Sequence, residues 1–175
     1  MIRVILTISQ IIGKIGESMN VSFSEQIENT TGYPDVVCFS EPVEVKGILT
    51  NTKKGILFEA QGNTEAEFLC SRCLETVKVP ISFHMNEMFY QAGGIERENQ
   101  KEAETFYNDQ IDFTDIIQRS ILENLPMKVL CKENCKGLCT KCGKNLNEGE
   151  CHCDHTEFDP RLESLRTLFN VDEEV

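Results

Sequence analysis

Phe58-Glu59-Ala60-Gln61-Gly62-Asn63-Thr64-Glu65-Ala66-Glu67-Phe68 alternates apolar or small residues with polar ones and runs almost directly into Cys70-Ser71-Arg72-Cys73. Strict alternation is the signature of a strand that buries one face only. The same pattern resumes beyond the cysteines, where Val77, Val79, Ile81, Phe83 and Met85 alternate with Thr76, Lys78, Pro80, Ser82 and His84. The two runs therefore read as a hairpin with a C-x2-C pair at its tip, where a tight turn can aim both sulfurs the same way. Upstream, Val43, Val45, Gly47 and Leu49 alternate with Glu44, Lys46, Ile48 and Thr50, and Asn51-Thr52-Lys53-Lys54-Gly55 supplies the connecting turn. Pro80 has no N–H for a ladder, which places its strand at an edge or at a bulge. His84 falls on the polar face.

Working outward, Met1–Gln10 reads as a strand. Thr7, Ser9 and Gln10 interrupt its apolar run and no small-residue cleavage site follows, so it is not a signal peptide. Residues 91–110 open with Gly93-Gly94, hold few large apolar side chains and read as a mobile loop. A helix over 112–125 follows, with Asp112 able to cap it, an apolar stripe of Phe113, Ile116, Ile117, Ile121 and Leu125, and Pro126 as its stop. Asp159-Pro160 opens a last helix, striped by Leu162, Leu165, Leu168 and Phe169. These elements predict an α+β fold: an antiparallel sheet of about five or six strands, two main helices and a C-terminal zinc ribbon of four cysteines. The organisation they suggest is a sheet domain over 1–126 and a cysteine-rich lobe with the last helix over 127–175.

Eight of the nine cysteines are paired at metal-ligand spacing: Cys70 with Cys73, Cys131 with Cys135, Cys139 with Cys142, and Cys151 with Cys153. Four thiolates close a tetrahedral zinc site and leave no open position for water, so the chemistry this predicts is structural. Cys139, Cys142, Cys151 and Cys153 make a ribbon too short to hold a core of its own, which metal must then hold. Gly143, after Cys142, suits the sharp turn of such a knuckle. His152 or His155 is an alternative ligand there. The remaining four, Cys70, Cys73, Cys131 and Cys135, would tie the hairpin tip to the segment after the helix. Closing that longer loop costs about 1.6 kcal/mol more than closing the ribbon, which is small beside the roughly 10 kcal/mol or more of a structural zinc site. An interleaved set of Cys131, Cys135, Cys139 and Cys142 satisfies the same spacings. Thiolates of this kind also hold iron–sulfur clusters. Cys135-x3-Cys139-x2-Cys142 has radical-SAM spacing, but only a short stretch follows where that chemistry needs most of a barrel. A redox role for Cys70-Ser71-Arg72-Cys73 lacks a helix N-terminus to lower a thiol pKa. Cys38, left over, reads as a small buried hydrophobe.

The net charge of -12 argues against non-specific attachment to nucleic acid. The distribution is uneven, however: between Pro126 and Leu146, Lys128, Lys132, Lys136, Lys141 and Lys144 face one acid, Glu133. This is either a solvated loop or a contact face for RNA or an acidic partner. No apolar run approaches the length of a membrane span. Phosphate-binding glycine loops, H-E-x-x-H and G-x-S-x-G are all missing, and no histidine has the glutamate that the zinc deaminase pattern needs. A chain made in the cytosol keeps its thiols reduced, so these cysteines are expected to bind metal rather than form disulfides.

Several stretches together carry a resemblance: Cys70-Ser71-Arg72-Cys73-Leu74-Glu75, Leu125-Pro126-Met127, Leu130-Cys131-Lys132-Glu133-Asn134-Cys135-Lys136-Gly137-Leu138-Cys139, Cys142-Gly143-Lys144-Asn145-Leu146-Asn147 and Asp159-Pro160-Arg161-Leu162. They resemble the YceD family, whose members carry the name large ribosomal RNA subunit accumulation protein. The resemblance implies a bacterial cytoplasmic protein, not an enzyme, that helps large-subunit ribosomal RNA accumulate during assembly. Its expected partner is that RNA or a large-subunit ribosomal protein. It brings no catalytic residue. A zinc- or redox-dependent enzyme, or an adaptor with no ribosomal role, are the alternatives.

Overall fold

The computed structural model describes residues 4–28, 30–92 and 104–153. Strands β1 (Ile5–Thr7), β2 (Ser18–Glu25), β3 (Val36–Phe39), β4 (Val43–Asn51), β5 (Ile56–Leu69), β6 (Thr76–Gln91), β7 (Thr105–Phe106) and β8 (Gln110–Asp112) are followed by helix α1 (Thr114–Glu123). The main sheet runs β2-β4-β5-β6-β7, with β3 paired to β5 beside the end of β4, and β1 pairs with β8. All pairings are antiparallel except the short parallel contact of β6 with β7.

The three alternating runs become β4, β5 and β6. On β5 the alternation is complete from end to end: Phe58, Ala60, Gly62, Thr64, Ala66 and Phe68 point inward, while Glu59, Gln61 and Asn63 are exposed. Gly62 is required by its cross-strand neighbour. It sits opposite Phe83, and a Cβ there would lie 2.2 Å from that ring. Pro80 pairs only toward β5, so its missing N–H falls on the open edge of β6. His84 is exposed, as its strand parity requires.

One face of the sheet is closed by α1 and by the β1–β8 pair. Phe113, at the N-terminus of the helix, is the centre of this packing, with ring centroids 4.7 Å from Phe58, 5.3 Å from Phe89 and 6.5 Å from Phe23. Ile116, Ile117 and Ile121 follow it into the core. Asp112 ends β8 and its Oδ1 accepts the N–H of Thr114, so the helix starts two residues later than its sequence pattern suggests.

The α+β expectation with two main helices is overturned. Among the described residues the chain is mostly β, with the ten-residue α1 as its single helix. The helix expected from Asp159 lies outside the described residues, as do His155 and the beginning of the N-terminal strand. The stretch read as a mobile loop is also corrected where it is described. Residues 104–110 carry β7 and the start of β8, and Phe106 is buried. Cys38 is exposed rather than buried. A register shift between Val36 and Cys38 turns it outward on β3.

Candidate metal centres

The hairpin tip is built for its cysteines. Cys70 donates its N–H to the carbonyl of Glu75 (2.8 Å), Leu74 donates to the carbonyl of Cys70 (3.0 Å), and Leu74 adopts a positive φ of 61° that reverses the chain. Cys70 and Cys73 thereby project into one buried cluster. The segment after α1 is brought there by backbone pairing. Ser71 N–H donates to the carbonyl of Val129 (2.9 Å), Leu138 N–H donates to the carbonyl of Arg72 (3.1 Å), and Arg72 Nη1 donates to the carbonyl of Cys135 (2.7 Å). Val129 itself is anchored in the main core.

The cysteines fall into two groups: Cys70, Cys73, Cys131 and Cys135, and separately Cys139, Cys142, Cys151 and Cys153, with the sulfurs of each group all within 4.8 Å of one another. The interleaved grouping is not what the geometry shows. In the first, inner group, Cys73 and Cys131 sulfurs are 3.5 Å apart and those of Cys70 and Cys135 are 3.8 Å apart. A tetrahedron of zinc–sulfur bonds near 2.3 Å requires sulfur separations of about 3.8 Å, whereas a disulfide requires about 2.05 Å. The donor set and the spacing therefore fit a tetrahedral thiolate metal such as zinc. His152 is exposed and is not a member of the outer group.

The two groups differ in shelter. Cys70, Cys73 and Cys135 are nearly inaccessible, at 0, 5 and 3%, and Val77, Leu130 and Leu138 pack around them. In the outer group Cys139 is buried, Cys142 is exposed and Cys151 and Cys153 are intermediate. The outer ribbon is held by Cys139 N–H to the carbonyl of Lys144 (2.8 Å), Gly143 N–H to the carbonyl of Cys139 (2.9 Å) and Leu146 N–H to the carbonyl of Gly137 (2.9 Å). Gly143, at φ 71°, makes the knuckle turn that lets Cys142 N–H point at the Cys139 sulfur, 3.5 Å away.

The electrostatics of both groups call for a cation. Burial opposes ionisation of Cys70, yet the backbone N–H groups of Arg72, Cys73 and Cys131 outweigh it and bring the thiol down to about 6. Cys135 is lowered, first by the side-chain amide of Asn147. For Cys73 the N–H of Glu75 favours the thiolate, but burial and the neighbouring sulfurs prevail and the pKa rises. Cys131 is raised by burial and by the same sulfurs. In the outer group the N–H groups of Cys142 and Lys141 bring Cys139 down to about 6, while the Cys142 sulfur, followed by burial, pushes Cys153 up to about 12. Four sulfurs this close cannot all ionise unaided, because like charges oppose each other. A divalent ion removes the conflict.

Lys128, Lys132, Lys136, Lys141 and Lys144 are all exposed around these centres. Lys144 Nζ donates to the carbonyl of Glu150 (2.9 Å). Sequence reasoning missed Arg72, which joins the same surface from the hairpin tip. It also missed any separate role for Asn145 and Asn147. The signal for both was their position in the ribbon between the two cysteine pairs.

The family model described as large ribosomal RNA subunit accumulation protein YceD matches residues 58–169, a span that takes in both cysteine groups. The chain belongs to the YceD family. A relative from Bacillus subtilis, YlbN, is 31% identical over 136 residues, covering 76% of this chain and 77% of its own. A Mycobacterium tuberculosis relative is 30% identical over 98 residues, 55% of this chain and about half (47%) of its own. An Arabidopsis thaliana protein named large ribosomal RNA subunit accumulation protein YCED homolog 1, chloroplastic, is 34% identical over 59 residues, 34% of this chain and 18% of its own. No solved structure matches the chain. Among the described residues no helix is long and apolar enough to cross a membrane.

Proposed function

We propose that this protein is a non-enzymatic factor supporting the accumulation of large-subunit ribosomal RNA during ribosome assembly, acting in the cytoplasm through a zinc-braced lobe. Family membership, together with the name of the plant relative, supports the ribosomal part of this reading. The observation that carries the molecular part is the pair of all-thiolate groups fastened to a sheet hairpin. A cation held by four thiolates has no position left for a substrate, so its work is to fix shape. Cys70, Cys73, Cys131 and Cys135 would hold one ion, and Cys139, Cys142, Cys151 and Cys153 a second. What they fix is a surface bearing Lys128, Lys132, Lys136, Lys141 and Lys144, which faces ribosomal RNA or a large-subunit ribosomal protein.

The test replaces Lys132, Lys136, Lys141 and Lys144 with glutamine, keeps every cysteine, and measures association with large-subunit precursors across a salt series. Each lysine taken from a phosphate contact lowers the salt slope by about one. Unchanged binding with an unchanged slope would move the contact to the sheet. Metal-to-protein stoichiometry separates this reading from that of a zinc enzyme, since about two fully thiolate-bound zinc ions per chain leave no open coordination position.

A further inference from the structure

Asn147 belongs to the outer ribbon by sequence, between Cys142 and Cys151, but its side chain reaches the inner centre. Its Nδ2 lies 3.3 Å from the Cys135 sulfur. Its Oδ1 accepts the N–H of Lys136 (3.0 Å), and its Nδ2 also donates to Oδ1 of Asn145 (2.9 Å). The orientation of the amide is fixed by these partners. Turned over, it would set oxygen against the sulfur and against the Asn145 oxygen, and NH2 against the Lys136 N–H. Asn145 is held in turn: its Oδ1 also accepts the N–H of Asn147 (3.0 Å), and its Nδ2 donates to Glu75 Oε1 (2.9 Å) on the hairpin tip. A continuous chain of hydrogen bonds, Glu75–Asn145–Asn147–Cys135, thus links the hairpin, the ribbon and an inner-centre sulfur.

Resting on the reading of both cysteine groups as metal sites, we infer that Asn147 is a positioning residue for the inner centre, through which the outer ribbon sets how firmly the inner ion is held. The donated N–H stabilises negative charge on Cys135 and fixes the direction of its sulfur. Groups in this relation to a metal ligand change metal affinity by about 10- to 100-fold when removed. The ribbon contributes none of the inner ligands, and Asn147 is the ribbon side chain whose amide donates to an inner sulfur; the Asn145–Glu75 bond reaches the hairpin tip but no sulfur. With it, loosening of the more exposed outer centre weakens the buried one.

The experiment uses the full zinc-loaded chain and a graded zinc chelator, with mass-spectrometric readout of alkylation at each cysteine, since metal-bound thiolates are protected. Asn147→Asp has the same shape and still accepts from Lys136, but it sets a carboxylate oxygen against the sulfur. The expected result is loss of protection at Cys131 and Cys135 at about 10- to 100-fold lower chelator strength, while Cys139 and Cys142 stay protected. A role confined to packing of the ribbon predicts the reverse order. In the second variant, Cys142→Ser, the outer ion is compromised directly, and Cys131 and Cys135 should again become easier to alkylate. Unchanged protection of Cys131 and Cys135 in either variant overturns the inference. A wild-type chain that takes up no zinc at all overturns the metal reading itself, and the inference with it.

Discussion

Loss of the inner centre should destabilise the whole molecule more than loss of the outer one, which acts on the sheet only through the inner ion. The perturbations are Cys73→Ser and Cys142→Ser. Cys73 and Cys131 stand 58 positions apart, so an ion joining them closes a loop that contains β6, β7, β8 and α1. By the loop-closure relation for a cross-link, that constraint is worth about 4 kcal/mol against the unfolded chain. Cys142 and Cys151 are close in sequence, and the same relation gives about 2.6 kcal/mol for their loop, which encloses no part of the sheet. Other ties at the inner junction are a few hydrogen bonds, from the backbone N–H groups of Ser71 and Leu138 and from the side chains of Ser71, Arg72 and Asn145, each contributing about 1 kcal/mol net. They do not replace the ion. Cys73→Ser is therefore expected to lower stability by about 4 kcal/mol, or roughly 8–16 °C in Tm for a chain of this size. Cys142→Ser leaves all four inner ligands in place and should cost less, about 1–3 kcal/mol through a 10- to 100-fold weaker hold on the inner ion, with amide exchange raised mainly across 131–153. Thermal and urea unfolding followed by far-UV circular dichroism measures the first quantity, and hydrogen exchange measures the second. Equal losses in the two variants would refute the argument, because the ribbon would then be part of the cooperative core.

Metal retention should fall as pH falls. Protons compete for thiolates, and the most acidic thiols, Cys70 and Cys139, stand at about 6, so zinc release followed with a chromogenic indicator should steepen below about pH 6. Gly62→Ala should cost about 1–3 kcal/mol by overpacking, since the new Cβ meets the fully buried Phe83 ring. A shift in the urea midpoint at constant m value reads this directly. Cys38→Ser should stay within about 0.5 kcal/mol, because the side chain is exposed on β3.

The sheet was legible where its residues obey one period. Phe58 to Phe68 and Val77 to Met85 alternate without a break, and both became strands with those residues inward. β2 went unread although Met19, Val21 and Phe23 alternate with Ser18, Asn20 and Ser22. The run is short, and its one buried position is Val21, so the alternation is weaker than in β5. β7 and β8 escaped for a different reason: at two and three residues they are shorter than any periodic signal, and the register comes from their partners β6 and β1. The grouping of the cysteines was legible in kind, but local spacing alone allowed an interleaved set. What decides it is the pairing of Val129 and Leu138 with the hairpin tip, a contact between residues far apart in sequence. Asn147 was hidden although its target sulfur is only 12 positions away, because ligand spacing does not say which side chain of the ribbon turns back toward the other group. Cys38 was misread because burial was inferred from residue type, and a bulge reverses the parity that would have placed it inward.

Charge bears on how such a protein meets its partner. Around the two centres, the hairpin tip and residues 126–153 carry Arg72 and five lysines against Glu75, Glu133, Glu148 and Glu150. Each loaded four-thiolate centre adds about two negative charges, so the lobe as a whole is not positive. Its charges are layered instead. Three of the four inner cysteines, Cys70, Cys73 and Cys135, are nearly inaccessible, while all five lysines are exposed. A partner at contact meets the cations first. Beyond about 8 Å, roughly one Debye length at physiological salt, it meets a protein of net charge -12. On the proposed reading, an RNA phosphate backbone would therefore not be drawn in from a distance. It would be held only when the lysines are set at the right spacing, which the hairpin and the ribbon, each braced by its metal, would fix. On the proposed reading the metals would serve recognition by shape: the thiolates that hold them would carry the negative charge of the lobe, and the ions would make it rigid enough for a few lysines to act as discrete contacts.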